Sequence, residues 1–252
     1  MRIISLVNQK GGVGKTTTTN NLGASLVKAG KRVLLIDLDP QANLSYSLGV
    51  RGEGFKSIYE VLRGKAKLKD IILTHKNGVD LAPSHINLSG AEIELASQVG
   101  REQILKDAIK GVADSYDYIL IDCAPSLGTI TLNALVASKE VFIPVQTEVL
   151  ALQGMSKLLD TIKLVKDRLN PELEVTGVIG TMYDSRKSLS KEVIDNLEEH
   201  FSGKLFKTLI RSNVSLAESP SSGVDIITYK SDSYGAKDYQ ALAEEVIKQE
   251  EK

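Results

Sequence analysis

The stretch Gln9-Lys10-Gly11-Gly12-Val13-Gly14-Lys15-Thr16-Thr17 decides how the rest of the chain is read. The apolar run Ile3-Ile4-Ser5-Leu6-Val7 precedes it and predicts a short buried strand. Thr18 to Ala29 follows it with Leu22, Leu26 and Ala29 at helical spacing. The order is strand, glycine loop, helix, with the Gly-x-x-x-x-Gly-Lys-Thr pattern relaxed to Lys-Gly-Gly-x-Gly-Lys-Thr. Gly11, Gly12 and Gly14 free the backbone to turn successive N–H groups, that of Val13 included, onto one anion. The helix adds the positive end of its dipole at the same point. In such a loop Lys15 reaches the β- and γ-phosphates, and Thr16 offers its hydroxyl to magnesium. Thr17 completes the phosphate cradle.

The totals set the frame. A chain of 252 residues suits a single α/β domain, here taken as 1–252. Hydrophobic residues at 42% and charged residues at 25% are ordinary for a soluble globule. A net charge of -1 gives no global sign of nucleic-acid binding, so any such contact needs a local basic patch. The one cysteine, Cys123, excludes an internal disulfide and fits a reducing compartment. Because strand residues begin at once, no signal peptide and no preceding DNA-binding domain are expected. No apolar run is long enough to span a bilayer.

Strand-like and helix-like segments alternate to the end of the chain. Strands are predicted at Lys31–Ile36, Gly78–Pro83, Tyr116–Asp122, Val141–Val145 and Val175–Gly180. Helices are predicted at Ser57–Leu62, Ser89–Ile109 with Gly100 as a breaking point, Leu150–Leu169, Lys191–Phe201 and Tyr234–Gln249. Near-continuous apolar strands between helices mean a mostly parallel, twisted sheet covered on both faces: an α/β P-loop NTPase fold. Ligands of such a sheet sit at the carboxyl ends of its strands. Asp37, Asp39 and Asp122 fall at such ends, beside the glycine loop. Asp122 is placed on magnesium, directly or through water, and Asp37 in the same metal shell. Asp39 is assigned to positioning the water that attacks the γ-phosphate; the other reading makes it the cap of a polar turn at Pro40.

Lys10 has no task in an ordinary P-loop. The run from Lys10 to Thr17, with Asp37-Leu38-Asp39-Pro40-Gln41 and Ile121-Asp122-Cys123-Ala124-Pro125-Ser126-Leu127, resembles the deviant P-loop ATPases of the ParA/MinD superfamily. Thr181-Met182-Tyr183-Asp184-Ser185-Arg186, Leu216 to Gly223, and Gly235-Ala236-x-x-Tyr239-x-x-Leu242-Ala243 resemble its ParA/Soj partition branch. The likeness covers essentially the whole chain in order. It implies ATP and Mg2+ as cofactors and slow, partner-stimulated hydrolysis. It also implies a face-to-face homodimer in which Lys10 reaches the partner's nucleotide, and a nucleotide lined by Met182, with Arg211, Asn213 and Pro220 near the adenine. One segment departs from the family: the usual Pro-Arg-Asn-Val-Arg-Leu reads Arg211-Ser212-Asn213-Val214-Ser215-Leu216 here.

The same resemblance implies nonspecific DNA binding through phosphate contacts. Candidate cations are Arg186, Lys187, Lys191, Lys204, Lys207, Arg211, Lys230 and Lys237. It further implies a ParB-type centromere-binding adaptor and a cytoplasmic, nucleoid-associated protein that partitions a chromosome or plasmid. The alternative is a related ATPase that positions other cargo or the division machinery; a small-molecule ligase or kinase is a third reading. The C-terminal stretch from Leu242 to Lys252 mixes acidic residues with few lysines, so it is read as docking on the sheet rather than on an anionic membrane. One cysteine is too few for an iron–sulfur reductase. Cys123 is read as a packing residue, and His75, His85 and His200 lack metal-ligand spacing.

Overall fold

The computed structural model describes residues 1–148 and 155–251. Seven strands among them form one sheet: β1 Arg2–Leu6, β2 Val33–Leu38, β3 Leu73–Thr74, β4 Asp80–Ala82, β5 Tyr118–Cys123, β6 Glu140–Gln146 and β7 Glu174–Thr181. Their order is β3-β4-β2-β5-β1-β6-β7. Every pair is parallel except β3 with β4. The helices are α1 Lys15–Lys28, α2 Asn43–Ser47, α3 Ile58–Leu62, α4 Leu88–Leu95, α5 Ile104–Lys110, α6 Thr129–Ala137, α7 Met155–Arg168, α8 Ser188–His200, α9 Val214–Glu218, α10 Ile226–Tyr229 and α11 Tyr234–Lys248.

Both faces of the sheet are covered, as the unbroken apolar strands require. Side chains alternate along β2: Leu34, Ile36 and Leu38 join one core, Val33 and Leu35 the other. The first core is roofed by α3 to α8 through residues such as Ile58, Leu105, Ala134, Leu158 and Val193. The second is roofed by α1, α10 and α11 through Leu22, Leu26, Ile226, Tyr239 and Leu242. The α11 tail is thus docked on the sheet, as read from the sequence. At its end Arg2 donates to both Glu140 carboxylate oxygens at 2.7 and 2.6 Å and to the Val246 carbonyl at 2.6 Å, which ties α11 to β1.

The predicted helical stretch from Ser89 to Ile109 breaks around Gly100, as expected, into α4 and α5. Gly100 takes a left-handed φ of 71°, and Val99 beside it is 99% exposed, so this stretch offers the core nothing to hold a helix. Asn133 of α6 then starts α5: its side-chain oxygen accepts the Leu105 N–H at 3.1 Å, and its amide donates to the Arg101 carbonyl at 2.7 Å. The predicted start at Leu150 lies outside the described residues; the helix is seen from Met155. Ser57 and Glu60 close a reciprocal capping box on α3, which fixes the start of that predicted helix. The antiparallel β3 strand is an addition that no sequence signal marked.

Gly177 shows how tightly the second layer meets β7. A Cβ there would lie 2.4 Å from the Phe206 ring and 2.7 Å from the Phe142 ring, which pack edge to face with centroids 5.1 Å apart. Gly177→Ala is expected to destabilise the fold by about 1–3 kcal/mol through overpacking, read as a lower urea midpoint at unchanged m-value. An unchanged midpoint would show that this aromatic pair moves aside freely.

Candidate nucleotide site

The loop after β1 is fixed at its base and its middle. Asn8 accepts the Lys10 N–H on its side-chain oxygen at 3.0 Å and donates to the Pro144 carbonyl of β6 at 2.8 Å. Thr181, at the end of β7, donates its hydroxyl to the Val13 carbonyl at 2.8 Å. Gly12 and Gly14 take left-handed φ values of 75° and 91°, which a side chain would strain. The loop therefore curls between two strand ends and enters α1 at Lys15.

The start of α1 carries neither a side-chain cap nor an acidic residue in its first turn. Its free N–H groups and dipole are directed at whatever anion sits in the loop. Lys15 is 7% exposed, and its ammonium donates to the carbonyls of Asn8 at 2.9 Å and Lys10 at 3.3 Å. Burial lowers the Lys15 pKa, while the charge of Asp122 opposes the shift. Lys10 is different: its side chain is exposed and is not part of the cleft lining.

The acidic groups come from strands brought together by the sheet. Register sets Asp37 of β2 beside Asp122 of β5, and both are fully buried. Asp122 accepts the Thr16 hydroxyl at 2.7 Å and the Thr19 hydroxyl at 3.5 Å. Burial, then the charge of Asp37, raise its pKa well above the carboxylate range. Asp37 is pushed up to about 6 by burial, against hydrogen bonds that favour its ionised form. One Asp37 oxygen accepts the Asp39 N–H at 3.1 Å. The other accepts both the N–H and the hydroxyl of Ser45, at 2.8 and 2.7 Å. Asp37 thus holds the turn that carries Asp39 and the start of α2. Asp39 is half-buried on the cleft wall, and one of its oxygens accepts the Gln41 N–H at 2.9 Å.

A hydroxyl and a buried carboxylate in contact, beside free α1 amides, form a hard-oxygen donor set that suits magnesium shared with a phosphate. Among the described residues no cluster of three or more His, Cys, Asp or Glu side chains is built to hold a metal alone. Magnesium characteristically keeps several waters and phosphate oxygens and asks for few protein ligands, so Thr16 and Asp122 fit it.

The space above the loop is an open cleft of about 580 Å3, walled by Gly11, Lys15, Thr16, Asp39, Met182 and Pro220 among others. A second hollow of about 220 Å3 adjoins it and contains Arg211 and Asn213. The two share Gly14, Thr17 and Met182. Asn213 has a buried side-chain oxygen with no hydrogen-bond partner among the described residues. Arg211 is committed to the protein: its guanidinium donates to Asp238 at 2.5 Å and lies 4.1 Å from the centre of the Tyr234 ring. Pro220 lies on the larger cleft, apart from Arg211 and Asn213.

The candidate cations of the last third are unequal. Arg186 is held by Asp184 at 2.8 Å, which pulls the Asp184 pKa down to about 2. Lys187, Lys191, Lys204, Lys207, Lys230 and Lys237 are all exposed. Asn8 and Ser45 were not marked by the sequence, and Thr181 was marked only as part of a motif, because their roles are hydrogen bonds between segments far apart in the chain. Among the described residues, no helix is long and apolar enough to cross a membrane.

The comparisons with known proteins agree with this geometry. The family described as AAA domain matches residues 1–175. The sporulation initiation inhibitor protein Soj of Bacillus subtilis is 49% identical over 247 residues, which cover 97% of this chain and 98% of that one. The chromosome-partitioning ATPase Soj of Treponema pallidum is 46% identical over 248 residues, covering 98% and 97%. A crystal structure titled cobyrinic acid a,c-diamide synthase from Mycobacterium smegmatis, with bound ATP analog and magnesium, superposes with a TM-score of 0.88 at 35% identity, covering 100% of this chain and 96% of that one. This chain belongs to the AAA-domain family and, within it, to the Soj/ParA group of chromosome-partitioning ATPases.

Proposed function

We propose that the chain, acting as one unit over 1–252, binds ATP with magnesium and hydrolyses it slowly as a partition switch. The observation that carries this reading is the placement of its two loop lysines. Lys15 is buried under its own loop, where it can serve only its own nucleotide. Lys10 is exposed and outside its own cleft, free to reach another molecule. Two copies facing each other would each lend Lys10 to the other's phosphates, a cation in trans like an arginine finger. Dimerisation would then depend on the triphosphate.

Bound magnesium neutralises charge on the β- and γ-phosphates. Thr16 and Asp122 would hold it, with Asp37 at the edge of the same shell. The α1 amides bind the phosphates, and Lys15 reaches over the loop to them. Asp39 positions the attacking water from the opposite wall, held in place by the Asp37–Ser45 contact. The base extends past Thr17 and Met182, where the unpartnered Asn213 oxygen can accept from the adenine amino group. Arg211 shapes that hollow through Asp238 instead of contacting the base freely.

The exposed lysines Lys187, Lys191, Lys204, Lys207, Lys230 and Lys237 supply the DNA contacts of the dimer, with Arg186 and Arg211 contributing less because carboxylates hold them. In this reading a ParB-type adaptor stimulates hydrolysis and releases the dimer, and the protein works on the nucleoid; the Treponema relative, described as a chromosome-partitioning ATPase, supports a partition role.

Lys15→Ala is expected to weaken ATP binding about 100-fold or more, measured with a fluorescent ATP analogue. Lys10→Ala should bind the analogue within about threefold of wild type yet stay monomeric in gel filtration with a non-hydrolysable triphosphate. A Lys10→Ala protein that dimerises normally would remove the trans contact from the scheme.

Asp39→Ala is expected to lower turnover by about 100-fold and to keep the dimer on DNA. Retention on a nonspecific duplex should require ATP, fail with ADP, and fall steeply as salt rises. Normal turnover by Asp39→Ala would assign the water to another group. Salt-insensitive or nucleotide-independent retention would overturn the DNA role.

A further inference from the structure

A groove of about 420 Å3 runs between α5 and the segment that follows α3. It shares no lining residue with either cleft of the nucleotide site. Gly111 and Val112, which line it, lead into the amino end of β5, so it lies toward the sheet end opposite the glycine loop. It also sits with the β4 side of the sheet, whereas α8 and Lys204 flank β7 at the other edge.

Its floor is apolar, with Leu68 and Ile104, and it is hollow because Ala66 and Ala108 stand where larger side chains would fill it. Its rim is basic. Lys67 and Lys69 are exposed, and neither forms an ion pair among the described residues. Asp107 also lines the groove, where it pairs with Lys110 at 2.7 Å, and Asp70 accepts the Lys67 N–H at 3.3 Å, so the cations of this rim outnumber its acids. Lys65 adds a further exposed cation to the same loop.

We propose that this groove docks an acidic amphipathic segment of a partner protein, its apolar side chains in the hollow and its carboxylates against Lys67 and Lys69. Charge complementarity selects the occupant. A helix with one apolar and one acidic face matches an apolar floor with a cationic rim. A nucleic-acid backbone would satisfy the lysines but leave Ile104 and the alanine hollow uncovered. The site is separate from the ATP cleft and from the candidate DNA cations, so all three can be occupied at once.

The test uses full-length protein and fluorescence anisotropy. The probe is a labelled peptide of roughly 14 residues, with leucines on one helical face and glutamates on the other. A control peptide carries lysines for the glutamates, and a short DNA duplex serves as competitor. The acidic peptide is expected to bind about tenfold or more tighter than the basic one. Lys67→Glu with Lys69→Glu should lower that affinity about tenfold, with ATP turnover and thermal midpoint unchanged. Ala108→Leu, which fills the hollow, should lower it about fivefold or more. The proposal fails if the acidic peptide does not bind, if both peptides bind alike, or if the lysine pair can be reversed without loss. It also fails if duplex displaces the peptide through the same two lysines, which would make the groove a nucleic-acid surface. Loss in the lysine variant with full affinity in Ala108→Leu would reduce the effect to surface charge and overturn the docking groove.

Discussion

Two carboxylates buried side by side at the ends of adjacent parallel strands govern this structure. Asp37 and Asp122 are opposite each other in the β2–β5 register, and neither is exposed. Like charges in that position disfavour each other and resist ionisation. A hydrophobic fold would replace them. Here they are kept and compensated by Thr16, Ser45, the Asp39 N–H and the ammonium of Lys15. Because strand side chains alternate, a one-residue slip of β2 against β5 would break the pair and exchange the residues that β2 gives to its two cores. The same register that closes the core therefore assembles the acidic side of the cleft.

Much of this was legible in the sequence. The strand, glycines, Lys-Thr and helix specify a local structure that needs no distant partner, so the loop and α1 stand where the spacing put them. The β1, β2, β5, β6 and β7 strands were marked by apolar runs, and Asp37, Asp39 and Asp122 by their place at strand ends. The chain's membership of the Soj/ParA group followed from motifs distributed along its length. What escaped was of another kind. Helix α6 is buried almost all round, so it has no polar face and no period to detect. The break at Gly100 was marked, but where α5 starts depends on Asn133, which no local pattern connects to Leu105. Arg211, a candidate for both the adenine and DNA on sequence, is held by Asp238 and Tyr234. Pairing across 27 positions has no signature at this level.

The hydrogen bonds around Ser45 join these pieces into one wall. Its N–H and hydroxyl both reach Asp37, and its hydroxyl oxygen accepts the Ser84 N–H at 2.9 Å. Two residues along, Ser47 receives the Asn20 amide at 3.3 Å from α1. The segment from Asp39 to Ser47 is thus pinned to β2, to the end of β4 and to the helix behind the glycine loop. A displacement of α2 would be felt at Asp39 and at α1 together, because the links are short and shared.

Backbone strain collects at the same place. Among the described residues the non-glycine positions with left-handed φ are Ala42 at 52° and Met182 at 53°. Each such residue costs of order 1–2 kcal/mol relative to a relaxed backbone. Ala42 sits between Asp39 and α2, and its N–H donates to the Asp39 carbonyl at 2.9 Å while its own carbonyl accepts from Tyr46 at 2.8 Å. Met182 follows Thr181, the residue that pins the loop, and the next N–H, of Tyr183, donates to the Ile210 carbonyl at 3.0 Å. Strain of this kind persists only where surrounding bonds over-determine the geometry. One strained residue adjoins the turn that carries Asp39, and the other lies where the two hollows meet. The left-handed residues thus lie next to the two anchors of the cleft, the Asp37-held turn that carries Asp39 and the Thr181 hydroxyl that pins the loop.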